Sequence, residues 1–130
     1  MIRIIVVEDN AIVRRGIISL LDEQEDLQVV GAAENGFIAI ELLEKGLQSD
    51  ILLTDFNMPG MDGAILSEKV HVLFPKLKTI ILTMHQRNDF VDRARTAGAS
   101  GYILKDGNFE ELFGGIRRVN FGKEFIIVGL

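Results

Sequence analysis

Apolar residues recur along the chain in short runs that are separated by stretches of mixed polarity. The runs are Ile2 to Val7, Leu27 to Ala33, Asp50 to Thr54, Thr79 to Thr83 and Gly101 to Leu104. Such nearly continuous apolar runs are typical of strands that are covered on both faces, as they are in a parallel sheet. The pattern therefore predicts five buried strands.

The stretches between these runs carry apolar residues at helical spacing. The first stretch places Val13, Ile17, Leu20 and Leu21 on one side of a helix, which is predicted to face the core, and Asn10 is a suitable N-cap. Asn35 can cap the second helix, which ends near Gly46. The other predicted helices run from Asp62 or Gly63 to Phe74, from about Asn88 to Gly98, and from Asn108 to about Val119. Strands and helices are therefore predicted to alternate.

The fifth predicted helix has two unusual features. Its core side is predicted to carry Phe109, Leu112, Ile116 and Val119. Ile18 of the first helix and Phe113 of the fifth lie outside or at the edge of the core-facing sides of their helices. They could form a dimer face on these two helices, or they could be isolated apolar residues on the surface. Gly114 and Gly115 each cost roughly 1 kcal/mol relative to alanine in a helix, so we expect a weak helix.

Strict alternation with short connections predicts one α/β domain, with helices on both faces of a parallel sheet. We expect a doubly wound, flavodoxin-like fold of five βα units with strand order 2-1-3-4-5. The apolar tail Phe125 to Val128 has no obvious place in five such units. We expect this tail either to fold back on the fifth helix or to contact a second chain.

Composition narrows the class of protein. The chain has 130 residues, 48% of them hydrophobic, and suits one globular domain. The absence of cysteine excludes disulfide scaffolds and thiol catalysis and favours a reducing compartment, so we expect a cytoplasmic protein. No apolar run approaches the ~18 residues of a membrane span. The net charge of −5 opposes binding of this piece to nucleic acid.

Polar side chains stand at the carboxyl ends of four predicted strands, where sheets of this kind bind ligands. They are Glu8 and Asp9, then Asp55, Thr83 and Lys105. Each alone has an ordinary explanation, such as a helix-terminal acid, a turn residue or a β-branched strand residue. Their joint placement at one edge of the sheet instead favours a site.

Three neighbouring carboxylates repel one another unless a cation is present, and an all-oxygen site suits Mg²⁺ or Mn²⁺. Such an ion uses only one or two of the acids, which leaves one carboxylate to react. With the metal and Lys105 neutralising a phosphoryl group, and Thr83 donating a hydrogen bond to it, Asp55 is placed to attack phosphorus and form an aspartyl phosphate.

Four segments carry a family pattern: Val6 to Asn10 (VVEDN), Asp55 to Gly63 (DFNMPGMDG), Ile81 to His85 (ILTMH) and Ala97 to Asp106 (AGASGYILKD). In order and spacing they resemble the receiver domain of two-component response regulators. The last two segments are most similar to the subgroup in which the receiver precedes a LuxR/NarL-type helix-turn-helix DNA-binding domain. On this resemblance residues 1–120 form the receiver, and residues 121–130 form a tail or the start of a linker to a missing output domain.

The resemblance implies that Asp55 accepts a phosphoryl group from a sensor histidine kinase. It implies that Glu8, Asp9, Asp55 and the main-chain carbonyl of Asn57 hold Mg²⁺. Thr83 and Lys105 would then grip the phosphoryl oxygens.

The resemblance also implies a conformational switch rather than an enzyme, in a domain that assists only its own phosphotransfer and dephosphorylation. Tyr102 would turn inward when Thr83 moves toward the phosphate, and the side chains of Asn57 and His85 would set the lifetime of the aspartyl phosphate. A homodimer would form on phosphorylation. Transcription would be controlled through the DNA-binding domain, with no membrane contact.

One departure from the family pattern concerns the residue after Lys105. Most receivers have a proline there in a cis peptide, whereas this chain has Asp106. A cis bond before a residue other than proline costs ~3 kcal/mol, so the isomer of this bond is left open.

Three other functions compete with this interpretation. A nucleotide- or flavin-binding module would need a phosphate loop after the first strand, where Glu8 and Asp9 repel phosphate. A phosphatase with an aspartyl intermediate would be expected to carry its nucleophile on the first strand rather than at Asp55. An interaction module that is independent of phosphorylation would not need the five site residues.

Overall fold

The computed structural model describes residues 1–84, 87–105, 108–122 and 124–129. The strands are β1 (Ile2–Val7), β2 (Leu27–Ala33), β3 (Ile51–Thr54), β4 (Lys78–Thr83), β5 (Gly101–Leu104) and β6 (Ile126–Val128). The helices are α1 (Ala11–Asp22), α2 (Gly36–Glu44), α3 (Gly63–Leu73), α4 (Asn88–Thr96) and α5 (Phe109–Phe121). The predicted alternation of strands and helices is confirmed, and element ends differ from prediction by one or two residues.

The sheet is parallel throughout, in the order β2-β1-β3-β4-β5-β6. The predicted order 2-1-3-4-5 is confirmed, but the prediction of five strands is wrong. The tail forms β6, which pairs with β5 from Gly101↔Ile126 to Ile103↔Val128. Helix α5 therefore acts as one more crossover between parallel strands, as the earlier helices do.

Side-chain caps begin four of the five helices, because an asparagine or aspartate oxygen there accepts the first free backbone N–H groups. These residues are Asn10, Asn35, Asp62 and Asn108. The prediction of N-caps at Asn10 and Asn35 is confirmed. Helix α4 differs, because its N-cap residue Arg87 makes no side-chain cap hydrogen bond.

Both faces of the sheet are buried, as the continuous apolar runs predicted. Ile4 and Val6 pack into the cluster that lies under α1 and α5. Their neighbours Ile5 and Val7 point the other way, into the cluster under α2 and α3. A third cluster surrounds Tyr102 and α4. Because the sheet is packed on both faces, the carboxyl ends of its strands are held next to one another along one edge.

Three assignments on α1 and α5 are wrong. Val13 is 39% exposed and Phe109 is 47% exposed, although both were predicted to face the core. Both lie in the first turn of their helices and line an apolar cleft of about 280 Å³ at the carboxyl edge of the sheet. Phe113 is only 3% exposed, because it packs in the same buried cluster as Ile126 of β6.

The proposed dimer face therefore loses one of its two residues. Phe113 is buried, and the half-buried Ile18 packs against the same main cluster.

Gly114 and Gly115 do not interrupt α5, since the helix continues to Phe121. Among the described residues, no helix is long and apolar enough to cross a membrane.

Candidate functional site

The predicted acids meet at the carboxyl edge of the sheet. Glu8 and Asp9 follow β1, Asp55 follows β3, and the two strands are neighbours. Each acid contributes one carboxylate oxygen to a group whose members all lie within 4.8 Å of one another. Lys105, which follows β5, places Nζ 2.7 Å from Glu8 Oε1 and 3.7 Å from Asp55 Oδ2.

Glu8 is the most deeply buried of the three acids, with 3% of its surface exposed. Burial alone raises the pKa of this carboxyl, but the hydrogen bond from Lys105 leads a group of contacts that together hold the pKa below its usual value. The backbone N–H of Asn10 donates to Glu8 Oε2 at 3.2 Å. Glu8 is therefore an ionised, fixed acid.

The other two carboxyls have raised pKa values. For Asp9 the main cause is the side-chain hydrogen bond with Glu8, followed by burial. For Asp55 the main cause is burial, which together with the charges of Glu8 and Asp9 outweighs the attraction of Lys105. The surroundings of Asp9 and Asp55 thus disfavour their ionised forms. A bound cation would stabilise these forms and lower both pKa values.

This donor set fits a hard divalent cation. The three acids offer only oxygen ligands, and oxygen ligation is what Mg²⁺ and Mn²⁺ prefer. The ammonium group of Lys105 contacts two of the acids without cancelling the charge of all three. The group could therefore hold a metal ion.

The loop after β3 fixes the orientation of Asp55. The backbone N–H of Phe56 donates to Asp55 Oδ1 at 2.8 Å, which leaves Oδ2 facing Lys105. The N–H of Gly63, the first residue of α3, donates to the Phe56 carbonyl at 2.7 Å. A Cβ atom at Gly63 would lie 2.3 Å from the Asp55 carbonyl oxygen, so only glycine fits there.

Thr83 and Tyr102 lie on neighbouring strands below the acids. Thr83 is fully buried at the end of β4, and its carbonyl accepts the backbone N–H of Lys105 at 2.7 Å. Tyr102 is fully buried on β5. Burial raises the pKa of its hydroxyl, and a hydrogen bond with the Thr83 side chain opposes part of that rise.

The remaining predictions concern Asn57, His85 and the bond after Lys105. Asn57 is exposed in the loop between β3 and α3. His85 and the Lys105–Asp106 peptide bond lie outside the described residues, so their predictions stay predictions.

Two contacts of the site were not predicted from the sequence. The Arg14 guanidinium donates to the Glu8 carbonyl at 2.7 Å and ties α1 to the end of β1. The Phe56 ring stacks on Phe90 of α4 with centroids 4.3 Å apart and an interplanar angle of 11°. Arg14 lies in the first turn of the helix that follows Glu8 and Asp9, which only weakly predicts its contact with Glu8. No local sequence pattern predicts the Phe56–Phe90 pair.

Residues 4–117 match the model of the response regulator receiver domain family. Among curated relatives, the chain is 36% identical over 126 residues to the response regulator GacA of Pseudomonas aeruginosa, covering 97% of this chain and 58% of GacA. The chain thus spans less than two thirds of that relative's length.

Solved structures of similar fold include receivers of the same subgroup. The signal receiver domain of NarL from Mycobacterium tuberculosis has a TM-score of 0.86 and 30% identity, with 94% of this chain and 98% of that chain covered. The isolated receiver of RcsB from Salmonella enterica serovar Typhimurium, solved with the phosphomimetic BeF₃⁻, has a TM-score of 0.85 and 31% identity, with coverage of 96% and 92%. The chain therefore belongs to the response regulator receiver domain family, as a phosphoacceptor switch domain of the NarL/LuxR type in two-component signalling.

Proposed function

We propose that Asp55 is the phosphoacceptor and that its donor is the phosphohistidine of a sensor kinase. One Asp55 carboxylate oxygen attacks phosphorus, the new O–P bond forms as the P–N bond breaks, and the electron pair of the broken bond stays on the imidazole nitrogen. The observation that carries the proposal is the position of Asp55 Oδ2, 3.7 Å from Lys105 Nζ and grouped with two further acids. Lys105 offsets the negative charge of the phosphoryl oxygens, and no general base is needed.

We propose that Glu8, Asp9, Asp55 and the main-chain carbonyl of Asn57 hold Mg²⁺ or Mn²⁺. When bound, the ion neutralises charge on the phosphoryl group during transfer. Glu8 supports this assignment because its pKa is held low by Lys105 despite burial, so it is ready as an ionised ligand. Arg14 keeps the backbone of Glu8 in place through its 2.7 Å contact.

Thr83 and Tyr102 are proposed to report the phosphoryl group. The Thr83 hydroxyl would donate to a phosphoryl oxygen, and its hydrogen bond with Tyr102 would pass the change to β5. Tyr102 already lies inside the protein here, so phosphorylation would stabilise this inward position. Asn57 and His85 are proposed to set the lifetime of the aspartyl phosphate.

The partners of the whole protein are proposals as well. The aligned part of this chain covers only 58% of GacA, which supports a further output domain. We propose that this domain binds DNA, that phosphorylation promotes a homodimer, and that the protein works in the cytoplasm. The receiver was expected to cover residues 1–120, and we propose that it also includes β6, because β6 pairs with β5 in the same sheet.

Incubation with Mg²⁺ and phosphoramidate, followed by intact mass spectrometry, tests the acceptor. We expect the wild type to gain one phosphoryl group and Asp55→Asn to gain none. Asp50→Asn is the matched control, because Asp50 precedes the same strand at its other end, and it should be phosphorylated like the wild type. Phosphorylation of Asp55→Asn would contradict the proposal.

A thermal melt with and without Mg²⁺ tests the metal site. Mg²⁺ should raise the Tm of the wild type, because an ion that binds only the folded state stabilises it. The Tm of Asp9→Ala should respond far less. An equal response in the two proteins would remove Asp9 from the site.

For the switch, BeF₃⁻ with Mg²⁺ should shift the amide resonances of α4 in the wild type and much less in Thr83→Ala or Tyr102→Ala. Equal shifts would remove Thr83 and Tyr102 from the switch.

A further inference from the structure

Four side chains from two segments form one continuous stack beside the phosphoacceptor. The rings of Phe56 and Phe90 lie nearly parallel with centroids 4.3 Å apart. The Arg87 guanidinium lies 4.6 Å from the Phe90 centroid, and that of Arg93 lies 5.2 Å from the Phe56 centroid. Offset ring stacking and cation–π contacts are both favourable, so the stack holds its members at defined distances.

The stack is anchored on both sides by ion pairs. Arg87 pairs with Asp89 at 2.8 Å within the start of α4. Arg93, one turn after Phe90 on α4, pairs with Asp62 at 2.9 Å. Asp62 is the N-cap of α3 and thus belongs to the loop that carries Asp55. The first turns of α4 are therefore attached to the β3–α3 loop at two points, Phe56 and Asp62.

The buried Phe56 ring is attached to a backbone segment that two hydrogen bonds hold in place. Phe56 is 2% exposed, its N–H donates to Asp55 Oδ1 at 2.8 Å, and its carbonyl accepts the Gly63 N–H at 2.7 Å. A ring held against Phe90 therefore restrains the Phe56 residue as a whole, including the direction of its N–H. That N–H in turn restrains the rotation of the Asp55 carboxylate, so that one of its oxygens stays free and faces Lys105.

We propose that Phe90 is a positioning residue for the phosphorylation of Asp55, acting through the Phe56 ring and the Phe56 N–H. Phe90 lies on α4 and touches none of the reacting atoms. Its ring keeps the nucleophilic carboxylate turned toward Lys105, so the position of α4 controls how readily Asp55 reacts. This inference rests on the proposed phosphorylation of Asp55.

The test compares three variants on the same helix. Phe90→Leu removes the stack, Phe90→Tyr keeps an aromatic ring, and Val91→Ala removes buried apolar volume from the same cluster without touching the stack. Aspartyl phosphate formation is followed with Mg²⁺ over a range of phosphoramidate concentrations. We expect the rate at saturating donor to fall about two- to tenfold in Phe90→Leu, the range that one ring pair can supply, with the half-saturating concentration unchanged.

Phe90→Tyr should restore the rate, and Val91→Ala should keep it even where its Tm falls as far as that of Phe90→Leu. A loss in Val91→Ala as large as that in Phe90→Leu, or no rescue by Phe90→Tyr, would overturn the proposal. If Phe90→Leu does not fold, Phe90→Met takes its place, with the same outcomes.

A second measurement separates this inference from the proposed function, because it needs no phosphoryl donor. Hydrogen exchange of the Phe56 amide should be faster in Phe90→Leu than in Val91→Ala, since the N–H loses its fixed acceptor. A wild type that is never phosphorylated would contradict the proposed function. Unchanged exchange at Phe56 would instead overturn the positioning role of Phe90.

Discussion

Two aspartates flank β3, and their surroundings are opposite. Asp50, at the amino end, accepts hydrogen bonds from the Arg3 backbone N–H, Nε and Nη2 at 2.9, 3.1 and 3.0 Å. These contacts, led by the side-chain bond from Arg3, hold the pKa of Asp50 below its usual value. Asp55, at the carboxyl end, accepts one bond from Phe56 and has a raised pKa because it is buried near other acids.

The same contrast extends along the two edges of the sheet. At the amino edge, Lys78 Nζ donates to the carbonyls of Val119, Asn120 and Gly122 at the end of α5, at 3.0, 3.3 and 2.8 Å. A cation at a helix C-terminus is stabilising. At the carboxyl edge, like charges are brought together. The contacts at the amino edge thus stabilise the fold. The grouped acids at the carboxyl edge destabilise it, but they form a site that a cation and a phosphoryl group can occupy.

The largest expected effect comes from the backbone of the carboxyl edge. In Gly63→Ala the new Cβ would lie 2.3 Å from the Asp55 carbonyl oxygen, and neither backbone segment can give way cheaply. We expect a loss of about 3 kcal/mol in the free energy of unfolding, measured by urea denaturation. Such a loss would show that the carboxyl edge is tightly packed, although the grouping of its acids is electrostatically unfavourable.

Gly114→Ala is the matched control for that substitution. A Cβ at Gly114 meets nothing within 4 Å, so alanine should stabilise α5 by about 0.5 to 1 kcal/mol. If Gly63→Ala is as stable as the wild type, the close approach does not constrain the loop.

Replacing the two aspartates by asparagine should change stability in opposite directions. In chelator at neutral pH, Asp50→Asn should lose about 1 kcal/mol, because a half-exposed charged hydrogen-bond acceptor is replaced by a neutral one. Asp55→Asn should gain about 1 kcal/mol, because it removes one of three grouped charges. Denaturation midpoints decide the comparison. Two changes of the same sign would show that the edges do not differ in this way.

The grouping of these acids was predictable because parallel strands end at a common edge. Once the apolar runs of β1, β3, β4 and β5 are recognised, the residues that follow them must be neighbours. The N-caps were predictable for a similar reason, since an asparagine or aspartate before an apolar stripe satisfies local N–H groups. Both predictions depend on rules that act within one element or on strand direction.

The features that were missed depend on contacts between distant segments. The Phe56–Phe90 stack joins the loop after β3 to α4, and no sequence pattern near either residue predicts the contact. The burial of Phe113 follows from β6, which widens the sheet under α5. The strand itself was within reach, because Phe125 to Val128 repeats the alternation of helix and apolar run that predicted the other strands.

The effects of Asp50 and Asp55 on the free energy of unfolding should change at different pH values. The low pKa of folded Asp50 means that its stabilisation is complete above the unfolded value of about 3.9 and is lost as the pH falls through the folded pKa. The raised pKa of folded Asp55 means that its penalty is complete above the folded pKa and fades as the pH falls toward about 3.9.

Each variant is therefore compared with the wild type in chelator from pH 7 downward. The advantage of Asp55→Asn should disappear first, at a higher pH than the deficit of Asp50→Asn. The reverse order would contradict the assigned directions.

The smallest expected effect concerns the amino edge alone. Lys78→Met keeps the apolar stem but removes the ammonium group from three carbonyls at the end of α5, so we expect a loss of about 1 kcal/mol or less. Because Gly122 leads into β6, amide exchange in Ile126–Val128 should become faster while exchange in β1 stays unchanged. Lys76→Met, at an exposed lysine nearby, controls for the loss of charge. If Lys76→Met and Lys78→Met lose equal stability, the contribution of Lys78 is general charge balance, and the amino edge owes its stability to the Arg3–Asp50 pair rather than to a capped helix.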